Sequence, residues 1–185
     1  MGKLLLMDLR IAQQSDILTL KDLIAKSARA LCVKDYSSSQ VEAALQGAWA
    51  VDTQLIKDQT YFACVADDCI VGCGGWSYRT TLFGGDAFDQ RDANQLDPGT
   101  DSAKIRAFFV DPDFVGHNVG LALLAKCEEE AIKAGFKSFE LMATLTGARF
   151  YRRNGYVGDA LETVTLSCGT TLDFIPMKKL ATPQR

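Results

Sequence analysis

The chain has one histidine, His117, and none of its six cysteines forms a Cys-x-x-Cys pair. Ligand spacing of that kind is what a zinc site needs, so no metal is expected. One histidine, with no serine or cysteine in an elbow-type motif, also excludes a hydrolase triad. There is no basic stripe or basic tail, and the net charge is −3, so nucleic acid is not an expected partner. The apolar runs are too short to span a bilayer. The start, Met1 to Asp8, lacks the apolar core and cleavage site of a signal peptide, and Leu6 stands where a myristoylation motif needs Ser or Thr. Repeats, low-complexity tracts and linkers are absent as well. What remains is an ordinary globular composition over 185 residues, read as one domain, 1–185, of a cytoplasmic protein that does not associate with membranes. Its cysteines read as reduced thiols, most of them buried.

The informative stretch runs from Ile105 to Ala131. Ile105-Arg106-Ala107-Phe108-Phe109-Val110 is a compact β-rich run. Asp111 to Asn118 is a turn carrying Pro112 and Gly116. From Val119 a helix is expected, because Gly120, Leu123, Leu124, Cys127 and Ala131 share one face. Glu129 and Lys133 lie four apart on its solvent side, and Gly135 stands where a left-handed C-cap is wanted. A strand entering a helix through a bare turn suits an anion, since the first N–H groups of a helix have no internal partner.

The other elements follow from periodicity and caps. Leu9–Ala12 reads as a strand. Ser15 or Asp16 can cap a helix striped by Ile17, Leu20, Leu23, Ile24 and Ala28. A serine among 37–39 can cap a short helix over 40–46. Residues 61–66 and 69–76, joined by Asp67-Asp68, form a hairpin whose Gly72, Gly74 and Gly75 suggest a bulge or a close neighbour. Residues 84–101 form an acidic connection suited to a cationic amine. Phe139–Ala143 is a strand, and Thr146 can cap a short helix closed by Gly155. Residues 162–167 and 171–175 make a closing hairpin, which Pro176 would confine to an edge and which offers an edge for a homodimer.

Val110-Asp111-Pro112 followed by the glycines and Leu121-Ala122-Leu123-Leu124 resembles motif A of the GNAT superfamily of N-acetyltransferases. The family's Arg/Gln-x-x-Gly-x-Gly/Ala falls on Val115, Asn118 and Gly120. Val115 brings no polar group, and Asn118 replaces a glycine with a residue that tolerates left-handed backbone. Phe150-Tyr151 with Gly155-Tyr156 resembles motif B, where Thr144 takes the place of a frequent Asn.

The resemblance implies an α+β (mixed α/β) domain with a central mixed, mostly antiparallel sheet of about seven strands flanked by about four helices. It implies acetyl transfer from acetyl-CoA to a primary amine, small-molecule or peptide, by direct attack in a ternary complex; the alternative is a GNAT-fold protein that binds acyl-CoA without transferring it. Tyr151 would be the general acid. Phe109 and Val110 would meet pantetheine, with Val115, Gly116, His117, Asn118, Val119 and Gly120 around the pyrophosphate and Thr144 close by. Trp76 and Tyr78 would touch the acceptor. The strand before the turn has no carboxylate, so the base is open among Asp101, Asp86, Glu140 and water.

Overall fold

The structure is a computed structural model that describes residues 7–86 and 94–181. The elements run β1 (Met7–Ile11), α1 (Ile17–Leu31), α2 (Ser38–Leu45), α3 (Thr53–Lys57), β2 (Tyr61–Ala66), β3 (Cys69–Ser77), β4 (Ala103–Val110), α4 (Val119–Lys133), β5 (Ser138–Thr144), α5 (Leu145–Arg153), β6 (Glu162–Thr165) and β7 (Thr171–Leu180). Seven strands form one sheet in the order β1-β2-β3-β4-β5-β7-β6. Every neighbouring pair is antiparallel except β4 and β5. The expected architecture is therefore present, with five α-helices among the described residues rather than about four.

Helices cover both faces. The stripe Leu20, Leu23, Ile24 and Ala28 of α1, with Val41 and Ala44 of α2 and Leu55 of α3, packs on Tyr61, Ala63, Cys73, Leu172 and Phe174. On the other face Leu123, Leu124, Cys127 and Ala131 of α4, with Ala148 and Tyr151 of α5, pack on Phe62, Cys64, Ile105, Leu141 and Met177. Successive residues of a strand point to opposite faces, so β2 buries Tyr61 and Ala63 one way and Phe62 and Cys64 the other. That double burial is why these strands read as continuous apolar runs instead of alternating ones.

Local chemistry fixes the joints. The Ser37 hydroxyl accepts from the Gln40 N–H, and the Gln40 side chain returns to the Ser37 N–H, a reciprocal cap on α2. At the head of α1, Asp16 closes a 3-10 turn against the Gln13 N–H and takes a two-pronged bond from Arg10 at 2.7 and 2.9 Å. Asp67 and Asp68 both take positive φ, the hairpin geometry that matches strand twist. Gly135, at φ 96°, closes α4. α3 was not expected; it is five residues long, too short to carry a periodic stripe, and Asp52 caps it through the Gln54 N–H.

Pro176 does not end its strand. β7 lies between β5 and β6 and runs on through Pro176 to Leu180. The ring is tolerated because β6 pairs only as far as Phe174, which leaves that side of β7 without a ladder to supply. Beyond it, Val157 and Lys178 exchange backbone bonds at 2.8 and 2.9 Å. Gly158 follows at φ 153°, where an added Cβ would come within 2.1 Å of the Pro176 carbonyl oxygen. Gly158→Ala is therefore expected to destabilise the fold by about 1–3 kcal/mol, the usual cost of forcing extra atoms into a packed site. A urea titration with an unchanged midpoint would refute that contact.

Candidate active site

The β4–β5 ladder contains only two pairs, Ala103 with Phe139 and Lys104 with Glu140. Beyond them the two parallel strands part, and a gap opens along the C-terminal half of β4. On its other side β4 bulges against β3: Arg106 faces Gly75 and Phe109 faces Cys73, with Ala107 thrown into positive φ at 57°. The bulge is shaped by Gly74, where a Cβ would meet the Phe108 ring at 2.7–2.9 Å. Past the bulge, the Asp111 N–H donates to the Val71 carbonyl at 2.9 Å. Alternation along the ladder then turns the Val110 N–H and C=O away from β3, into the gap. The same alternation turns the Phe109 main chain toward β3, so of the two residues expected to present backbone to a ligand, Val110 is the one whose main chain faces the gap.

The turn after β4 carries its chain direction on two left-handed residues, Gly116 at φ 86° and Asn118 at φ 63°. Asn118 thus serves in backbone terms where the family pattern has glycine. The first internal bond of α4 runs from the Ala122 N–H to the Asn118 carbonyl. The N–H groups of Val119, Gly120 and Leu121 have no acceptor among the described residues. They point outward at the positive end of a 15-residue helix. Helix α4 is drawn close by Gly72, whose missing Cβ would strike Val119 Cγ1 at 2.4 Å, and α5 rests on Gly120 through Phe150 at 3.4 Å. Lys26 of α1 braces the turn from the other face, binding Asp111 at 2.7 and 2.9 Å and Asp113 at 2.8 Å. Val115 and His117 are exposed on its rim, and His117 lies beside the Phe114 ring.

Tyr151 stands on the α4–α5 side of the gap. Its ring packs edge-on against Phe108, Phe150 and Tyr156, with centroids 6.2, 5.1 and 5.7 Å away. Burial pushes the phenol above its ordinary range, aided by the Cys127 thiol. Its hydroxyl has no hydrogen-bond partner among the described residues. Thr144 caps α5, its hydroxyl accepting from the Gly147 N–H at 3.0 Å. This corrects the expectation that Thr146 would cap; Thr146 lies inside the helix and donates to Asp35 at 2.7 Å.

Trp76 and Tyr78 do not join this constellation. Trp76 pairs with Ile105 in the ladder, whereas Gly72 pairs with Val110 at the mouth of the gap. Its ring meets Tyr78 and Phe136, the latter just past the C-terminal end of α4. The anion-ready turn lies at the other end of that helix, about 22 Å along at 1.5 Å per residue. Trp76 is packed and only 6% exposed, and Tyr78 is half-buried beside it, so neither of the two residues expected to touch the acceptor stands beside the turn.

The three carboxylates considered as bases are all engaged. Glu140 lies between Lys104 and Lys178, Asp86 accepts from the Thr53 N–H at 3.0 Å, and Asp101 accepts from the Asp97 N–H at 2.7 Å. Of the acidic connection, residues 87–93 lie outside the described residues. One feature escaped the sequence reading: Arg106, inside the apolar strand, forms a buried ion pair with Asp52 at 2.5 Å and donates to the Gly84 carbonyl at 2.7 Å. Beside it the buried Tyr61 hydroxyl donates to Cys73 Sγ at 3.2 Å and to the Ala107 carbonyl at 3.3 Å. An arginine among apolar strand residues was itself the signal, because such a charge is buried only with a partner. Four cysteines are buried and free; Cys69 and Cys168, both at hairpin turns, are exposed. Among the described residues no cluster of His, Cys, Asp and Glu is arranged to hold a metal, and no helix is long and apolar enough to cross a membrane.

A gap with unpaired backbone, leading to bare helix N–H groups, can hold an extended ligand with an anionic end. Comparison with known proteins points the same way. A family model described as Acetyltransferase (GNAT) family matches residues 25–156. A GCN5-related N-acetyltransferase from Rhodopseudomonas palustris shares the fold at a TM-score of 0.71 with 21% identity, covering 98% of this chain and all of that one. The PaiA N-acetyltransferase of Thermoplasma acidophilum, solved in complex with coenzyme A, gives a TM-score of 0.65 at 16% identity, covering 95% of this chain and 99% of its own. N-acetylglutamate synthase from Neisseria gonorrhoeae, complexed with coenzyme A and N-acetyl-glutamate, gives 0.59 at 15% identity; the match spans 98% of this chain but 37% of that one. No curated protein sequence matches significantly.

Proposed function

Because the chain belongs to the acetyltransferase (GNAT) family, we propose that it moves an acetyl group from acetyl-CoA to a primary amine by direct attack in a ternary complex. The observation that carries this reading is the parting of β4 from β5 beside the bare N-terminus of α4. Pantetheine lies in that gap and pairs with the Val110 main chain. The pyrophosphate rests on the N–H groups of Val119, Gly120 and Leu121, where aligned peptide dipoles favour negative charge. Val115 adds no charge there, so the backbone carries the contact.

The amine nitrogen attacks the thioester carbon. A C–N bond forms, the carbonyl oxygen takes up negative charge, and a backbone N–H near Val110 stabilises it. The C–S bond then breaks, and the thiolate takes the proton of Tyr151. Water carries away the proton lost by the amine and restores the phenol. Coenzyme A in the relatives from Thermoplasma and Neisseria supports the choice of donor.

Thiol release with acetyl-CoA and a panel of primary amines tests the reading. Initial-velocity lines that intersect when both substrates are varied are expected, and parallel lines would contradict direct attack. A second reading, binding of acyl-CoA without transfer, draws on the apolar Val115; it predicts saturable acetyl-CoA binding with no thiol release on any amine.

The turn makes its own prediction. A Cβ on Gly116 would meet no atom within 4 Å, but the residue sits at φ 86°. Gly116→Ala therefore strains backbone without a clash, at about 1–2 kcal/mol. Acetyl-CoA affinity is expected to fall by roughly 5- to 30-fold as the turn relaxes away from the ligand. Calorimetry showing wild-type affinity would place the pyrophosphate elsewhere.

A further inference from the structure

We propose that the acceptor is an aryl-alkyl primary amine, its ring held in an aromatic cleft on the α1–α2 face of the gap. The proposal rests on the transferase reading above and names the substrate class. On the α4–α5 face the mouth of the gap is closed by the packed rings of Phe108, Phe150 and Tyr151. An amine must then reach the thioester from the opposite face. There β4 presents Phe109 and β5 presents Met142, with Leu145 at the head of α5 and Phe83 from the connection after β3, all half-buried and packed on one cluster. Phe109 and Met142 flank the parted strands, Phe83 lies against Phe174 and the Leu145 N–H reaches the Tyr36 hydroxyl; apolar side chains set along one face of the gap are the walls that a ligand's ring needs.

The aromatic character continues beneath the walls. Phe83 lies on Phe174 at 5.3 Å, and Tyr36 meets Trp49 edge-on at 5.4 Å and 83°. The Tyr36 hydroxyl donates to the Asp173 carbonyl at 2.6 Å and accepts from the Leu145 N–H at 2.9 Å. It therefore ties the α1–α2 junction across the mouth and is already occupied. Trp49 differs. It is 4% exposed, and its Nε1–H finds no partner among the described residues. A buried donor without an acceptor is costly, and a ligand's ring face or ring oxygen would supply one.

The charged groups on this face offer little to a polycation. Arg106 is paired with Asp52, and Lys104 and Lys178 with Glu140. Among the described residues the strip between these pairs, along Phe109 and Met142, is apolar. That composition suits one primary amine on a hydrophobic body better than a polyamine or an aminoglycoside.

The test is thiol release by the full chain with acetyl-CoA and 2-phenylethylamine, n-butylamine, spermidine, kanamycin or a lysine peptide. The expected kcat/KM for 2-phenylethylamine exceeds that of the others by at least about 10-fold, as burial of a ring implies. Phe83→Ala is expected to bring the ratio of kcat/KM for 2-phenylethylamine to that for n-butylamine down toward one, and an unchanged ratio would overturn the cleft. A preference for spermidine, kanamycin or the peptide would overturn the aromatic cleft and leave acetyl transfer standing. If no amine turns over, the Trp76→Phe protein, in which Trp49 is the sole tryptophan, is titrated with 2-phenylethylamine in the presence of CoA. Saturable change in its fluorescence supports the cleft, and none overturns it. Failure of acetyl-CoA itself to bind is failure of the underlying reading and is seen separately.

Discussion

Tyr151→Phe is expected to lower kcat for acetyl transfer by about 10²- to 10⁴-fold, the range lost with a positioned proton donor. Acetyl-CoA affinity is expected to stay within about twofold, because the ring keeps its contacts with Phe108, Phe150 and Tyr156 and only the hydroxyl goes. Removing that hydroxyl strands no partner among the described residues, so the melting temperature is expected to be unchanged. The combination separates proton donation from packing: a packing role moves stability and spares kcat, and donation does the reverse. The pH profile gives a second handle. Burial holds the Tyr151 phenol above its ordinary range, so the protonated donor persists on the alkaline side. The wild-type rate is then expected to show no loss from this group up to about pH 10, where a free phenol is half ionised. A basic limb near pH 8 that vanishes in Tyr151→Phe would keep Tyr151 as the donor but contradict the upward push on its phenol.

Asp52→Ala is expected to destabilise the protein by about 3–5 kcal/mol, because it leaves Arg106 buried without its counter-charge. Both side chains are almost fully enclosed, at 3% and 1% exposure, with 2.5 Å between them. The same carboxylate caps α3 through the Gln54 N–H, which adds about 1 kcal/mol to the loss. Pairing the change with Arg106→Met is expected to recover most of the stability, since the desolvated charge is then gone. The effect also reaches the site. Arg106 precedes the bulge at Ala107, so loss of its anchor lets the bulge relax and moves Val110 in the gap. Equal denaturation midpoints for wild type and Asp52→Ala would show that Arg106 finds another partner.

The fold was legible wherever one residue's chemistry suffices. Apolar stripes gave α1 and α4, the serines at 37–39 gave a cap for α2, which the structure assigns to Ser37, and Asp67-Asp68 gave a hairpin turn that the positive φ values bear out. The three glycines of β3 were read as marking a bulge or a close neighbour, and they mark both, the Phe108 ring and Val119. What stayed hidden depends on pairs far apart in sequence. Nothing in β4 or β5 alone says that their ladder stops after two pairs. Arg106 advertised a buried partner but not which of many carboxylates it was. The order of strands placed Pro176 inside the sheet, because β6 is shorter than β7. Trp76 and Tyr78 are aromatic residues of the second hairpin arm in the sequence, and only the direction of α4 shows that they sit by its far end, at Phe136. Thr146 was the expected cap of α5, and the backbone instead chose Thr144, at the end of β5.

The central claim is that the turn from Val115 to Gly120 and the gap beside Val110 together hold acetyl-CoA. Calorimetric titration of the purified chain with acetyl-CoA, with CoA and a nucleotide lacking pantetheine as controls, tests it most directly. The expected result is saturable binding of acetyl-CoA and CoA with Kd on the order of micromolar, about −8 kcal/mol, and much weaker binding of the nucleotide, because the gap contributes nothing to it. No heat from acetyl-CoA at roughly millimolar ligand, about −4 kcal/mol or less, would contradict the claim: Val115 would then have disabled the turn, and the transferase reading would fall.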